Sequence, residues 1–220
     1  MPETPEKRSS KVEAESMRLL SGLCHELGNI FTATRLYAQF LTDDTDPESI
    51  AANAQEVDQL VGISSSLLQL VRPIVAPVER GRGSAHPAAV LEHLRASLEP
   101  PPSEVDVHVD IDSGSGLPEV DLHSDLLLTL VSTGVYAAYE TLSGGGRIEV
   151  LAAATENGVA FHIDDDGDEE DALADFHEEA LRGRPLRLAI IDHVVRAFGG
   201  RVETSREGSI TRVAIHVCRI

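Results

Sequence analysis

The chain has 220 residues and carries 37 acidic against 18 basic side chains, a formal net charge of −19. Nucleic acid and anionic membrane surfaces bind mainly through Lys and Arg, so this balance argues against both as partners and favours a basic or neutral protein patch. Apolar residues make up 42% of the chain but aromatics only 4%, with no Trp, so any core is built of Leu, Val, Ile and Ala.

Residues 1–9 are polar and are expected to be disordered, and they contain no apolar signal core. From about residue 10 to 76 the pattern is helical. Leu20, Leu23, Leu27, Ile30, Thr34, Tyr37 and Leu41 follow the 3,4 rhythm of packed helices. The stretch TDDTDPES interrupts it, and Pro47 is well placed to start a second helix. Ile50, Asn53, Val57, Leu60, Ser64, Leu67 and Val71 repeat the rhythm. Two such seams joined by a short polar loop predict a helical hairpin, and pairing two hairpins in a homodimer gives a four-helix bundle.

Residues 77–84 are expected to be a linker, and 85–220 a second domain of mixed structure. HPAAVLEHLRASL reads as a helix, and Val105, Val107, Val109 and Ile111 alternate as a half-buried strand does. LHSDLLLTLVSTGVYAAYETL reads as a long buried helix. GGGRIEVLAAATENGVAFHID reads as a hairpin turning at Asn157-Gly158. A helix ended by glycines, PLRLAIIDHVVRAFGG, and a last hairpin complete the chain. The expected class is α+β, a helical hairpin followed by a sandwich of one helical layer on one sheet. Cys24 and Cys218 imply no disulfide framework. With no apolar run long enough to cross a bilayer, the expectation is a soluble, cytoplasmic protein.

The stretch LCHELGNI holds the candidate chemistry. With the seam fixed at Leu20, Leu23 and Leu27, His25 falls at the heptad f position, farthest from the seam. Asn29 lies one turn along on the same side, and Glu26 lies toward the flank. An exposed neutral imidazole has a free nitrogen and is nucleophilic near pH 7. A neighbouring carboxylate can hold the proton on its other nitrogen. His93 and His193 in helices, and His108 and His162 in strands, are expected to serve packing instead.

HELGNIFTATRLYAQFL resembles the H-box of two-component sensor histidine kinases, in the subset reading His-Asp/Glu-x-x-Asn-Leu-Leu. The resemblance continues through the hairpin and, more weakly, through the second domain, which in element order looks like a Bergerat-type ATP-binding domain. It implies that His25 carries a phosphoryl group, that Glu26 is the acid/base residue beside it, and that Asn29 positions water or the transferring group. Thr32, Leu36 and Gln39 continue the His25 face and are candidates to contact a receiver helix. Gly28 departs from the pattern at a cost of about 1 kcal/mol against Ala.

The nucleotide motifs of that family are degraded. The helix LLLTLVSTGVYAAYE has no Asn where the family carries an N-box. The first Gly box becomes Asp165-Asp166-Gly167-Asp168-Glu169, in which Asp165 matches the adenine-binding carboxylate and Glu169 replaces a glycine. The second becomes Gly183-Arg184-Pro185-Leu186-Arg187-Leu188, where Pro185 also removes an N–H donor. Between them, DEEDALADFHEEALR is acidic and helix-prone. Arg184 and Arg187 are alternatively candidates to hold another anion. Asp164, Asp166 and Asp168 do not fit an EF-hand ligand order.

These features point to a histidine phosphotransferase that relays phosphate between response-regulator receiver domains, with a hybrid histidine kinase as a further candidate partner. Such a chain binds no cofactor itself, and Mg²⁺ comes with the partner receiver. A non-catalytic pseudokinase scaffold and a phospho-receiver phosphatase using Asn29 remain as alternatives.

Overall fold

Helix α1, Pro5–Asp43, and helix α2, Pro47–Val75, form an antiparallel hairpin. In this computed structural model the described residues are 5–43, 46–75, 81–98, 107–142, 145–167 and 183–220. The chain divides into two compact units, residues 1–75 and 76–220. α1 starts at Pro5, so residues 5–9, expected to be disordered, are helical, with proline at the first helical position. α2 starts as its sequence suggests. The Asp46 carboxylate accepts from the Ser49 N–H at 3.1 Å, and Pro47 follows as the first helical residue.

The seam buries Leu23, Leu27 and Ile30 of α1 and Ser64 and Leu67 of α2. It departs from a strict heptad at the open end. There Leu19, Leu70 and Ile74 are buried, while Leu20 and Val71 are only partly covered. A straight helix has 3.6 residues per turn, so a 3.5-residue pattern drifts round its surface with length. Ser64, a polar break in the seam, donates its hydroxyl to the Leu60 carbonyl at 2.8 Å and so meets its own burial cost.

A second apolar stripe lies outside this seam. Met17, Cys24, Phe31 and Ala38 recur every seventh residue of α1, and Val61, Leu68 and Val75 do so on α2. All seven are exposed, Met17 by 67% and Val75 by 64%. These are the e positions of both helices. Because the helices run in opposite directions, their e positions fall on the same side of the hairpin.

The second unit is a five-stranded sheet covered on one face. Its elements are α3 (Pro87–Ser97), β1 (Val107–Ser113), α4 (Ser124–Tyr139), β2 (Gly146–Thr155), β3 (Gly158–Asp165), α5 (Gly183–Ala197), β4 (Arg201–Glu207) and β5 (Ile210–Cys218). The strand order is β1-β2-β3-β5-β4. β1 and β2 are parallel, joined through α4, and the other neighbours are antiparallel. Val105 lies outside the described residues. The hairpin of β2 and β3 turns at Glu156-Asn157, one residue earlier than its Asn-Gly pair suggests, because Gly158 already pairs with Thr155. Residues 81–84, expected to be linker, are tied into this unit: the His123 N–H donates to the Gly81 carbonyl at 2.9 Å, and Arg82 pairs with Asp121.

Alternation along the strands sets the two faces. Ile148, Val150 and Ala152 of β2, Phe161 and Ile163 of β3, and Val213 and Ile215 of β5 point into the core with Leu127, Leu130 and Val131 of α4. Gly134 lets α4 approach the sheet closely, because a Cβ there would run into the Ile163 side chain. The outer face is ionic, with Arg147 pairing Asp110 at 2.7 Å and Arg212 pairing Asp164.

His162 stands on that outer face with its Nδ1 buried and without a hydrogen-bond partner among the described residues. Burial, the largest cause, pushes its imidazole below the usual value of 6.5; Arg212 and His216 add to this and Asp164 opposes it. The folded protein therefore binds fewer protons here than the unfolded chain as pH falls through 6.5. This group's contribution is fully present above that value and is lost below it, down to the folded pKa. Replacement by phenylalanine is expected to flatten the dependence of unfolding free energy on pH below 6.5, read by urea titrations at each pH.

Candidate functional site

The heptad geometry places His25 where its sequence position suggests. It is exposed on α1, two residues beyond the buried Leu23 and two before Leu27. It has no hydrogen-bond partner among the described residues. In this it differs from His86, His108, His123 and His216, each of which faces a carboxylate: Glu119, Asp110, Asp125 and Glu203. His93 and His108, expected to pack, are exposed instead, since each lies on the solvent side of its element. Exposure and the lack of a partner among the described residues do not single out His25, since His93 shares both; its place on the hairpin with Asn29 one turn along does.

Asn29 is exposed one turn along, on the same face. Glu26 is partly buried on the flank and makes no hydrogen bond to His25. Consecutive helical residues diverge by about 100°, so a Glu26–imidazole contact is not built into the free chain. Thr32, Leu36 and Gln39 are exposed further along, with Leu36 at 48%. The Thr32 hydroxyl donates to the Gly28 carbonyl at 2.8 Å. Open space surrounds Gly28, and nothing in the structure explains a glycine there.

A second polar cluster lies where α4, β3 and α5 end or begin. Asp165, the last residue of β3, is 1% exposed. Its Oδ2 accepts from Arg184 Nη2 at 2.9 Å. Its Oδ1 lies 3.0 Å from the Thr141 hydroxyl and accepts from the Gly167 N–H at 3.3 Å. Arg184 Nη1 also donates to the Thr141 hydroxyl oxygen at 3.2 Å. One turn along α5, Arg187 Nε donates to Glu140 at 2.8 Å. Both arginines are thus neutralised inside the unit and are not available to another anion, a role considered for them above. They reach carboxylates 19 and 47 residues away, pairings that no local pattern signals.

Gly167 closes the corner, since a Cβ there would collide with Thr141. Asp164 pairs with Arg212, and Asp166 accepts from the Arg147 N–H at 2.7 Å, so the described carboxylates of this turn are all engaged internally. Asp168, Glu169 and the acidic stretch to Arg182 lie outside the described residues.

Residues 15–73 match the His Kinase A (phospho-acceptor) domain. The match contains His25, Glu26 and Asn29, and spans the hairpin. The chain is also similar to the C4-dicarboxylate transport sensor protein DctB of Pseudomonas aeruginosa, 23% identical over 210 residues. That alignment covers 88% of this chain and 34% of DctB, so the chain spans about a third of the length of this curated relative.

Among solved structures, histidine kinase ThkA in complex with response regulator protein TrrA is similar over all of this chain and 68% of its own, with a TM-score of 0.63 at 15% identity. A bacterial phosphotransferase solved at 1.7 Å is similar over 98% of both chains, with a TM-score of 0.54 at 13% identity. In fold the chain is therefore similar to two-component histidine kinases: a helical hairpin that matches the phospho-acceptor domain over residues 15–73, followed by a mixed α/β unit. Among the described residues no helix is long and apolar enough to cross a membrane.

Proposed function

We propose that this protein is a histidine phosphotransferase that relays a phosphoryl group between response-regulator receiver domains and does not use ATP. The observation that carries the reading is the contrast between its two units. The hairpin keeps an exposed His25, without a hydrogen-bond partner among the described residues, and Asn29 beside it. In the second unit, the carboxylate that the family resemblance assigns to adenine is spent on Arg184.

The described residues of that corner support a unit that does not use a nucleotide. Asp165 has both oxygens engaged, the Arg184 guanidinium stands against it, and Gly167 has no space beside Thr141. The similarity over nearly whole chains to a bacterial phosphotransferase agrees with this reading, and the ThkA–TrrA complex agrees with a receiver as partner.

In the proposed reaction a nitrogen lone pair of neutral His25 attacks the phosphorus of a receiver aspartyl phosphate. An N–P bond forms, the acyl-phosphate P–O bond breaks and the aspartate leaves as carboxylate. Attack by a second receiver's aspartate reverses these steps. The chemistry depends on positioning and charge stabilisation, with Mg²⁺ brought by the receiver. Glu26 and Asn29 then act only in the complex, on the imidazole and on the phosphoryl group or a water. Thr32, Leu36 and Gln39 extend the face a receiver helix would meet.

The exposed e stripes on one side of the hairpin support a homodimer, because a bundle helix needs an apolar face wider than a and d alone. The single-chain hairpin leaves that width uncovered.

Calorimetry of the protein with a non-hydrolysable ATP analogue and Mg²⁺ is expected to show no saturable binding in the micromolar range. Saturable binding at that level would replace this reading with an active kinase. Phosphate that is released rather than relayed would favour the phosphatase alternative, and tight receiver binding without any labelling would favour the scaffold.

A further inference from the structure

The Asp165 corner is more selective than a generic salt bridge. All of its contacts to Arg184 fall on the terminal nitrogens: Nη2 donates to Asp165 Oδ2 at 2.9 Å and Nη1 to the Thr141 hydroxyl oxygen at 3.2 Å. The third guanidinium nitrogen, Nε, is buried and has no hydrogen-bond partner among the described residues. The corner thus satisfies a pair of amino groups and ignores the point where the arginine stem is attached. Both partners are almost wholly removed from solvent, with side chains 2% and 0% exposed. Nor can its walls close in readily, because Gly167 is already packed against Thr141 and both hold the same carboxylate oxygen.

We propose that the Asp165 corner is a recognition site for a planar guanidinium or amidinium cation, and that the chain fills it with its own Arg184. The inference deepens the reading of this unit as one that holds no nucleotide. A buried carboxylate needs a positive counter-charge, and the two acceptors, Asp165 Oδ2 and the Thr141 hydroxyl, ask for two N–H donors from one flat group. Truncating Arg184 leaves a cavity with that demand unmet. A free cation with the same head and no stem meets it, since none of the described residues engages Nε. A neutral aminopurine offers similar N–H donors without the charge, and so leaves the carboxylate uncompensated.

The test uses the full chain. Arg184→Ala is expected to lower the unfolding midpoint by about 10 °C, the scale for an uncompensated buried charge in a protein of this size. Methylguanidinium at about 20 mM is expected to restore at least half of that loss by binding the folded state. Wild type should gain nothing under the same conditions, nor should a double variant in which Asp165→Asn removes the acceptor charge. Adenosine should restore nothing in Arg184→Ala. If Arg184→Ala does not fold in water, the readout is the yield of soluble protein refolded with and without methylguanidinium.

The inference is overturned if methylguanidinium gives Arg184→Ala no advantage, if wild type or the double variant gains equally, or if adenosine substitutes for it. None of these readouts measures ATP binding to wild type, so the calorimetry above can fail without affecting this result, and the reverse.

Discussion

His25→Ala is expected to abolish phosphoryl acceptance while leaving the protein folded. His25→Ala removes the nitrogen that forms the N–P bond in the proposed reaction, so labelling should fall by at least about 10³-fold, to background. The fold should be unaffected within about 0.5 kcal/mol, because His25 is exposed and makes no hydrogen bond among the described residues. Alanine is also the better helix former. Wild type and variant would each be incubated with a phosphorylated receiver, and acid-labile phosphate on the chain followed with time. Glu26→Ala should slow labelling by about tenfold without ending it, the lower end of what acid–base assistance supplies. Asn29→Ala should chiefly change hydrolysis of the phosphorylated receiver. Label persisting on His25→Ala would place the acceptor elsewhere, and the other histidines, four of them facing carboxylates, would then need testing.

That prediction was available from the sequence because it needs only a local rule. Leucines 23 and 27 fix the buried side of α1, and His25 must then face outward. The element order of the second unit was equally accessible, since strands of period 2 and helices of period 3.6 announce themselves one segment at a time. Proline at position 47 and the glycines at 199 and 200 mark helix ends for simple backbone reasons; Gly199 has φ of 82°.

What stayed hidden depends on contacts between distant segments. Arg187 stands where the resembled motif has a glycine and Arg184 stands beside Pro185, but nothing local says that the two arginines reach Glu140 and Asp165 rather than a ligand. Leu70 and Ile74 were missed for a geometric reason, because a fixed heptad register does not follow the drift of a straight helix. The e-position stripe is visible in the sequence, yet its significance rests on knowing that the hairpin itself leaves it uncovered.

Two neighbouring leucines of α2 separate the stability of the hairpin from its association. Leu67 is fully buried in the intra-hairpin seam, whereas Leu68, at the e position, is 52% exposed. Leu67→Asp places an unpaired carboxylate among α1 and α2 side chains. Losing a buried leucine costs about 2–5 kcal/mol, and the unpaired charge adds about 3–5 kcal/mol. Together these are comparable to the whole stability of an ordinary domain, so this variant should lose much of its helical circular dichroism.

Leu68→Asp places the same charge in water if the protein is a single hairpin, and in an apolar interface if two hairpins pair through their e stripes. The expected result is retained helicity, with a mass by light scattering that drops from dimer to monomer at micromolar concentration. Leu68→Asp that stays dimeric, or wild type that is already monomeric, would remove the e stripe as the association surface. The contrast is informative because the two sites are adjacent in sequence and chemically identical. Any difference between them must come from which side of α2 each one faces.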